Sequence, residues 1–197
     1  LWELVAATRR EVLTVAAEYT GSYRDVERPR DVADWIARPI IMGGHQPELF
    51  HPGVWLKNSA LDAYARQVGG TAVNLIVDTD RCHHTGVGVP VGTPLEAKLE
   101  QVPFDGPGPD MAWEERGILD DQTFASFGDR CCDLLLPLEP SPILRRWWPL
   151  VMERAAETRR LGIALAQARH LVESRFGLET LELPVSELVR LPTVLVF

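Results

Sequence analysis

The chain has 197 residues and a hydrophobic fraction of 46%, which predicts a packed core and excludes global disorder. Its formal net charge of -8 argues against nucleic acid as a partner, because neutralising phosphates needs clustered Lys and Arg. No apolar run approaches the roughly 20 residues that span a bilayer, and the first residues do not form a secretory signal. We therefore expect a soluble, cytoplasmic protein that binds a small molecule rather than a membrane.

The sequence is expected to be a piece of a longer chain, because it starts without Met and stops after an apolar stretch. Within it we expect an N-terminal helical segment over 1–38, followed by an α/β domain over 39–197. Apolar residues at helical spacing predict an amphipathic helix over 1–20, with Gly21 as its cap. The sequence leaves the oligomeric state open.

The next elements form a predicted βαβ unit. A short β-branched run, 39–42, is followed by glycines and predicts a buried strand that ends in a tight turn. Apolar residues at helical spacing predict a helix over 54–68. The nearly continuous apolar run 71–77 is typical of a parallel strand that is covered on both faces. This order predicts the α/β class.

The second half of the chain begins with a region, 81–142, so rich in Gly and Pro that periodicity says little, and we interpret it as a lid or excursion. A long helix is then predicted up to Gly177, with a kink at Pro149. Alternation of apolar and acidic residues over 178–183 predicts a half-buried strand, and a short helix over 185–189 follows.

A cysteine pair and a histidine in this half receive structural interpretations. The pair Cys131 and Cys132 is expected to pack in the interior, since reactive thiols need an exposed, electropositive setting. His170 lies in a charged helical stretch and is expected at the surface.

The segment between the first predicted strand and the following helix is the main candidate for a ligand site. Ligands of α/β proteins bind at the carboxyl ends of parallel strands, where glycines let backbone N–H groups approach and a helix N-terminus favours anions. The pattern predicts an anion or phosphate site. Its candidate residues are Gly43, Gly44, His45, Gln46, His51 and Gly53.

The predicted helix that follows contributes a lysine and an asparagine to the same site. Lys57 and Asn58 fall on the helical stripe that carries the apolar residues, so both should point inward. A lysine in the first turn of a helix is costly to bury unless it meets an anion. The alternative is a lysine whose stem lies along the protein while its amine stays in water.

The end of the second predicted strand adds carboxylates and imidazoles. Asp78, Asp80 and His83 follow this strand and are expected at the same edge of the sheet as the glycine-containing segment. They could serve as a general base, as hydrogen-bond partners of a sugar or amine, or as ligands of a divalent ion. A polar loop at a strand end is the structural alternative.

The motif formed by these stretches is recognisable. The sequence GHQPELF over 44–50 is followed by Gly53 and Lys57, and then by an apolar strand that ends in acidic residues and histidines. It resembles the motif of the bacillithiol biosynthesis cysteine-adding enzyme family, over 39–84. A narrower resemblance, to WbqC-like proteins, covers 44–57.

The chain departs from the cysteine-adding family at two places. His45 stands where the family has a glutamine, and His51 with Pro52 replaces a pair of glycines. The substrate is therefore expected to differ. The resemblance implies a Rossmann-like parallel sheet of the nucleotidylyltransferase-like class, with an N-terminal helix and a helical C-terminal part. It also implies a transferase- or ligase-like enzyme that joins an amino acid to a sugar conjugate.

Under this interpretation the candidate residues have distinct roles. His45 and His51 stabilise charge that develops on a phosphate or carboxyl oxygen, and Lys57 anchors the anion. The groups expected to orient the ligand are Gln46 and Asn58. The groups expected to position a second substrate or act as a base are Asp78, Asp80 and His83.

Two other functions remain open. One is a metal-dependent hydrolase that uses Asp78, Asp80 and His83 with a histidine of the glycine-containing segment. The other is a small-molecule-binding module without catalysis. No spacing matches a known zinc signature, so we assign no metal ligands, and a divalent metal is less favoured as a cofactor than a nucleotide. The expected partner is an anionic small molecule.

Overall fold

The computed structural model describes residues 1–27, 29, 31–49, 52–93 and 95–196. The chain divides into two compact units. Unit 1 comprises Leu1–Thr79 and Glu173–Phe197, and unit 2 comprises Asp80–Val172. The elements in chain order are α1 (Trp2–Gly21), α2 (Val32–Ala37), β1 (Ile40–His45), α3 (Pro52–Gln67), β2 (Thr71–Ile76), β3 (Gly86–Thr93), β4 (Glu96–Pro103), α4 (Asp121–Leu135), α5 (Leu144–Thr158), α6 (Leu161–Arg175), β5 (Leu181–Pro184) and α7 (Val185–Leu188).

Unit 1 is built on a three-stranded parallel sheet in the order β1-β2-β5. Strands β1 and β2 pair from Ile40 with Thr71 to His45 with Ile76, and α3 connects them. The predicted βαβ unit and the α/β class are therefore confirmed. The central strand β2 is buried at four of its six positions, as expected where both neighbours are strands.

Both faces of this sheet are covered by helices. On one face α1 contributes a buried stripe, Val12, Leu13, Ala16 and Ala17, which forms one core with residues of β2 and β5. On the other face α3 packs through apolar residues onto the starts of β1 and β2. The fully buried residues of α1 all lie in its second half, whereas Leu1 before it and Trp2 at its start are exposed.

Three predicted elements need correction. Strand β1 does not end at Met42 but continues to His45, because its pairing with β2 continues. The predicted long helix is two helices, α5 and α6, and the break lies at Arg159, whose φ of 55° ends α5, rather than at Pro149. Strand β5 is buried at all four positions rather than half-buried.

Unit 2 contains the Gly- and Pro-rich region, which is structured. Strands β3 and β4 form an antiparallel pair in register from Gly86 with Pro103 to Thr93 with Glu96. Helices α4 and α5 pack through aromatic rings, and the indole N–H of Trp148 donates to the Phe124 carbonyl at 2.9 Å. The large buried side chains of this unit explain why a region with little periodicity folds.

The structural interpretation of the cysteines holds, and that of His170 does not. Cys131 and Cys132 are free thiols and are both buried in α4. His170 is fully buried, because α6 is covered around almost its whole circumference and so buries its polar residues too. None of the helices in the described parts of the chain is both long and apolar enough to cross a membrane.

Candidate functional site

The two glycines of the predicted binding turn lie inside strand β1. Gly43 and Gly44 pair with Asn74 and Leu75 of β2, so they form no turn. A Cβ atom on Gly44 would lie 3.2 Å from the Leu75 Cβ and 3.3 Å from its carbonyl oxygen, tighter than ordinary contact. The glycine therefore allows close packing of strands, and the loop that could cradle an anion begins after His45.

His45 is the last residue of β1 and lies at the carboxyl end of the parallel sheet, half-buried. Its carbonyl accepts a hydrogen bond from the Val77 N–H at 2.9 Å, which fixes the backbone of the strand end. The ring Nδ1 lies 3.0 Å from the carbonyl oxygen of Gln46. In the tautomer whose Nδ1–H donates to this carbonyl, the lone pair of the imidazole is on Nε2.

The hydrogen bonds at the two ends of β1 show which way its backbone groups face. Thr71 donates to Pro39 and Val77 donates to His45. In a parallel ladder this alternation turns the odd-numbered residues of β1 toward β2 and the even-numbered ones away from it. The carbonyl of Gly44 therefore points away from β2.

Lys57 reaches back to this carbonyl from α3. Its Nζ donates to the Gly44 oxygen at 2.6 Å, so the ammonium lies beside the end of β1, one residue before His45. The side chain is half-buried. It is therefore intermediate between the two predicted states, a buried lysine that meets an anion and a lysine whose amine stays in water. Because α3 begins at Pro52, Lys57 lies in the second turn of the helix and not in its first.

Asn58, the neighbour of Lys57, points inward as expected. It is almost fully buried, and its Nδ2 donates to Glu173 Oε1 at 2.8 Å. Its bond to a carboxylate 115 positions away makes Asn58 part of the unit's interior. The structure thus favours a role in holding α3 over direct ligand contact.

Asp78 is buried beyond the end of β2, and both of its carboxylate oxygens are occupied. Oδ1 accepts from the Ser186 N–H at 2.9 Å, and Oδ2 accepts from the Ser186 hydroxyl at 2.5 Å. The side chain therefore ties the end of β2 to the start of α7. Because this carboxylate already accepts two hydrogen bonds inside the protein, its role is to position the chain rather than to act as a general base.

The remaining predicted residues are distributed over the chain. Gln46 is half-buried directly after β1, and Gly53 is exposed in the first turn of α3. His51 lies outside the described residues. Asp80 and His83 belong to unit 2, where both are exposed; the Asp80 carbonyl accepts from the Trp113 N–H at 2.9 Å.

Among the described residues, no group of three or more His, Cys, Asp or Glu side chains is arranged to hold a metal ion. The structure thus brings His45, Gln46 and Lys57 together at the carboxyl end of β1. It places Asp78 in an internal bond at the end of β2.

A buried polar row in unit 1 was missed from the sequence. Asn74 Nδ2 donates to Glu182 Oε1 at 2.8 Å, and the Tyr23 hydroxyl donates to Glu182 Oε2 at 3.0 Å. Asn74 and Glu182 are adjacent across β2 and β5. The available signal was Asn74, an amide inside the nearly continuous apolar run 71–77; Glu182 belongs to the alternating segment 178–183 and gave no such signal.

Comparison with models of known protein families gives no match for this chain, and comparison with curated proteins gives none either. The resemblance to the cysteine-adding enzyme family is therefore carried by the motif residues alone and stays a prediction.

Proposed function

We propose that the carboxyl end of β1 is the binding centre of a transferase- or ligase-like enzyme that takes a nucleotide or another anionic small molecule. One observation carries this proposal. The half-buried imidazole of His45 and the ammonium of Lys57 lie beside the same strand end, and the Lys57 Nζ is 2.6 Å from the carbonyl one residue before His45.

The chemistry of these groups fits an anion. An ammonium meets phosphate or carboxylate oxygens as a point charge, and an imidazole can donate to them or accept a proton from a second substrate. The site lies where parallel α/β sheets bind ligands, and α3, which starts seven residues after His45, directs its N-terminus toward the same end of the sheet.

The reaction class follows from the motif resemblance. A Rossmann-like, nucleotidylyltransferase-like sheet with this motif favours the joining of an amino acid to a sugar conjugate. In that scheme Lys57 anchors the anion, and His45 stabilises the oxygen on which charge develops.

Lys57 can be tested against a matched control, because the sequence contains only one other lysine, Lys98. ATP, AMP and inorganic phosphate are titrated calorimetrically into the wild type, Lys57→Ala and Lys98→Ala. A charged hydrogen bond is worth about 1.5–3 kcal/mol, so Lys57→Ala should weaken the affinity about tenfold or more. Lys98, an exposed residue of β4, should be dispensable. Equal affinities in all three proteins would refute the proposal.

His45→Asn separates a chemical from a structural role. We expect its free energy of unfolding to stay within about 0.5 kcal/mol of wild type, since a half-buried loop-edge imidazole adds little packing. Turnover of a nucleotide-dependent transfer should fall about 10²–10³-fold. Normal binding together with unfolding at a lower denaturant concentration would make His45 structural. Saturable binding without any turnover in the wild type would favour a non-catalytic module.

A further inference from the structure

Unit 2 contains a sheet edge that is open for pairing. Strands β3 and β4 form a two-stranded sheet, so within the described parts of the chain no further strand covers the outer side of either one. The outer edge of β3 is interrupted by Pro90, which has no N–H to donate. Residues 96–102 of β4 include no proline, and all of them except Val102 are exposed. The edge of β4 can therefore accept another strand.

The hydrogen bonds of this sheet show which backbone groups of β4 face outward. The Phe104 N–H donates to the Thr85 carbonyl at 2.7 Å, in the register that pairs Gly86 with Pro103. Since bonded and open positions alternate along an antiparallel pair, the even-numbered residues of β4 bond to β3. The residues whose N–H and carbonyl are directed away from β3 are Ala97, Leu99 and Gln101.

Arg130 marks one end of this open edge. Its Nη2 donates at 2.6 Å to the carbonyl of Pro103, which belongs to the outward-facing set. Beside this contact lies a groove of about 410 Å³, whose walls are residues 100–103 of β4 and Arg130, Asp133 and Leu134 of α4. A strand that is added to β4 would thus pair with residues 96–102, before the position that Arg130 occupies.

The side chains of β4 alternate in charge along one face. Glu96, Lys98 and Glu100 lie on the same face, because side chains two positions apart in a strand share a face, and all three are exposed. The opposite face carries Leu99, which is 71% exposed. A run of charges of one sign would repel a second copy of the strand. A run that alternates in sign is complementary to itself when two copies lie antiparallel.

Backbone pairing and charge together select one register for two copies of β4. The open groups belong to odd-numbered residues, so odd-numbered residues must lie opposite each other. With Leu99 opposite Leu99, each Lys98 lies opposite a Glu100. A shift of two residues places Lys98 opposite Lys98 or Glu100 opposite Glu100, and like charges directly opposite are destabilising. Larger shifts leave mainly the ends of the strands in contact.

We propose that unit 2 binds a second copy of this chain through β4, so that the two-stranded sheets of both copies form one continuous antiparallel sheet with Leu99 at its two-fold axis. The same residues of both copies make the contact, as a closed dimer requires. The pairing satisfies the open backbone groups of β4 and covers the exposed Leu99 side chain.

Charge reversal tests this contact. Sedimentation equilibrium gives the dimer dissociation constant of the wild type, Lys98→Glu, Glu100→Lys and the double variant. Each single change places like charges opposite each other twice in the dimer, so the dissociation constant should rise about tenfold or more. The double variant restores both opposite-charge pairs and should dimerise as the wild type does. The control is Glu115→Lys, the same charge change at an exposed residue outside the sheet, which should have no effect.

A mixture of the two single variants provides a second comparison. In their heterodimer, each of the two opposed pairs has one acidic and one basic side chain, so its affinity should match that of the wild type. A wild type that stays monomeric at every concentration would overturn the proposal and leave the edge to a strand of another protein. A double variant as weak as the single variants, or equal dissociation constants in all of these proteins, would also overturn it.

Amide hydrogen exchange of the wild type locates the contact without any variant. Dilution should speed the exchange of the Leu99 and Gln101 N–H groups, which bond only to the second copy. The N–H groups of Lys98 and Glu100 bond to β3 in the monomer as well, so their exchange should change less. If dilution dissociates the dimer without changing the exchange of the Leu99 N–H, the interface lies elsewhere and the proposal is wrong.

Discussion

At the scale of single residues, a buried carboxylate at a strand end can look catalytic in sequence and be structural in the fold. Asp78 follows an apolar strand, as a catalytic base of an α/β enzyme often does, but its two oxygens are bonded to the backbone and the hydroxyl of Ser186. The partner lies 108 positions away. Local sequence contains no sign of it.

Ser186→Ala tests this role. The change removes a hydrogen bond to a buried carboxylate, so we expect a loss of about 1.5–3 kcal/mol in the free energy of unfolding, measured by urea denaturation. Ser59→Ala is the control, because the Ser59 hydroxyl bonds to the Trp55 carbonyl on the exposed face of α3. Its effect should stay within about 0.5 kcal/mol. If both changes lower the free energy of unfolding equally, the bond between Ser186 and Asp78 does not stabilise the fold.

The thiol of Cys131 shows how burial controls reactivity. Burial raises the pKa of this thiol from 9.0 to about 11, so only about one molecule in a thousand carries the thiolate at pH 8. We expect Cys131 to resist iodoacetamide in the native protein and to react in urea, as followed by tandem mass spectrometry of the peptide.

The same shift has a consequence for stability against pH. Between pH 9 and about 11 the folded protein retains the thiol proton, whereas the unfolded chain loses it. The unfolded state therefore binds fewer protons, and the stability contributed by this group falls as the pH rises through that interval. In Cys131→Ala the decline over this range should be smaller. If stability declines equally in Cys131→Ala and in the wild type, groups other than Cys131 cause the decline.

At the scale of elements, pairing across the sheet overrides local preference. Two consecutive glycines predicted the end of β1, since glycine is a weak strand former, yet β2 continues alongside and extends the strand to His45. The alternation of β5 predicted a solvated face for Glu182. That face is covered, and Asn74 and Tyr23 satisfy the carboxylate.

Some features of the candidate site could be predicted from the sequence and others could not. The positions of His45 and Lys57 at the carboxyl end of β1 could be predicted, because strand, helix and strand order fixes which ends come together. The internal bonds of Asn58 and Asp78 could not, because both partners come from the last 25 residues. Periodicity contains no information about such pairings.

A buried ion pair in unit 2 offers a test at this scale. Arg116 and Asp105 lie 3.0 Å apart with both side chains buried, and the carboxylate also accepts from the N–H groups of Leu119 and Asp120. Asp105→Ala leaves the positive charge of the buried guanidinium without a counter-charge. We therefore expect the free energy of unfolding, measured by urea denaturation, to fall by about 3–5 kcal/mol.

The control for this change is Asp110→Ala, because the Arg81–Asp110 pair is exposed on both sides. An exposed pair contributes about 0–1 kcal/mol. The indole N–H signal of the buried Trp113, followed by NMR through the urea series, would report the unfolding of unit 2. If the two changes cost the same, the buried pair does not hold this unit together.

At the scale of the whole molecule, the sheet of unit 1 is assembled from distant parts of the chain. Strands β1 and β2 come from the first half, and β5 comes after the whole of unit 2. The Gly and Pro content of 81–142 marked a change in character but not the extent of unit 2, because α5 and most of α6 belong to it as well. The periodic pattern of these helices predicts that they are helical, but it does not indicate the unit in which they pack.

This order imposes a delay during synthesis. About a hundred residues separate the end of β2 from the start of β5, and at translation rates of about 5–20 residues per second β5 emerges roughly 5–20 s after β2. Throughout that interval the edge of β2 that will receive β5 has no strand beside it, and Val73 and the apolar stripe of α1 lack Leu181 and Leu183. The nascent chain thus exposes an unpaired strand edge and apolar side chains for far longer than a hairpin needs to form, and we expect it to be prone to aggregation during that interval.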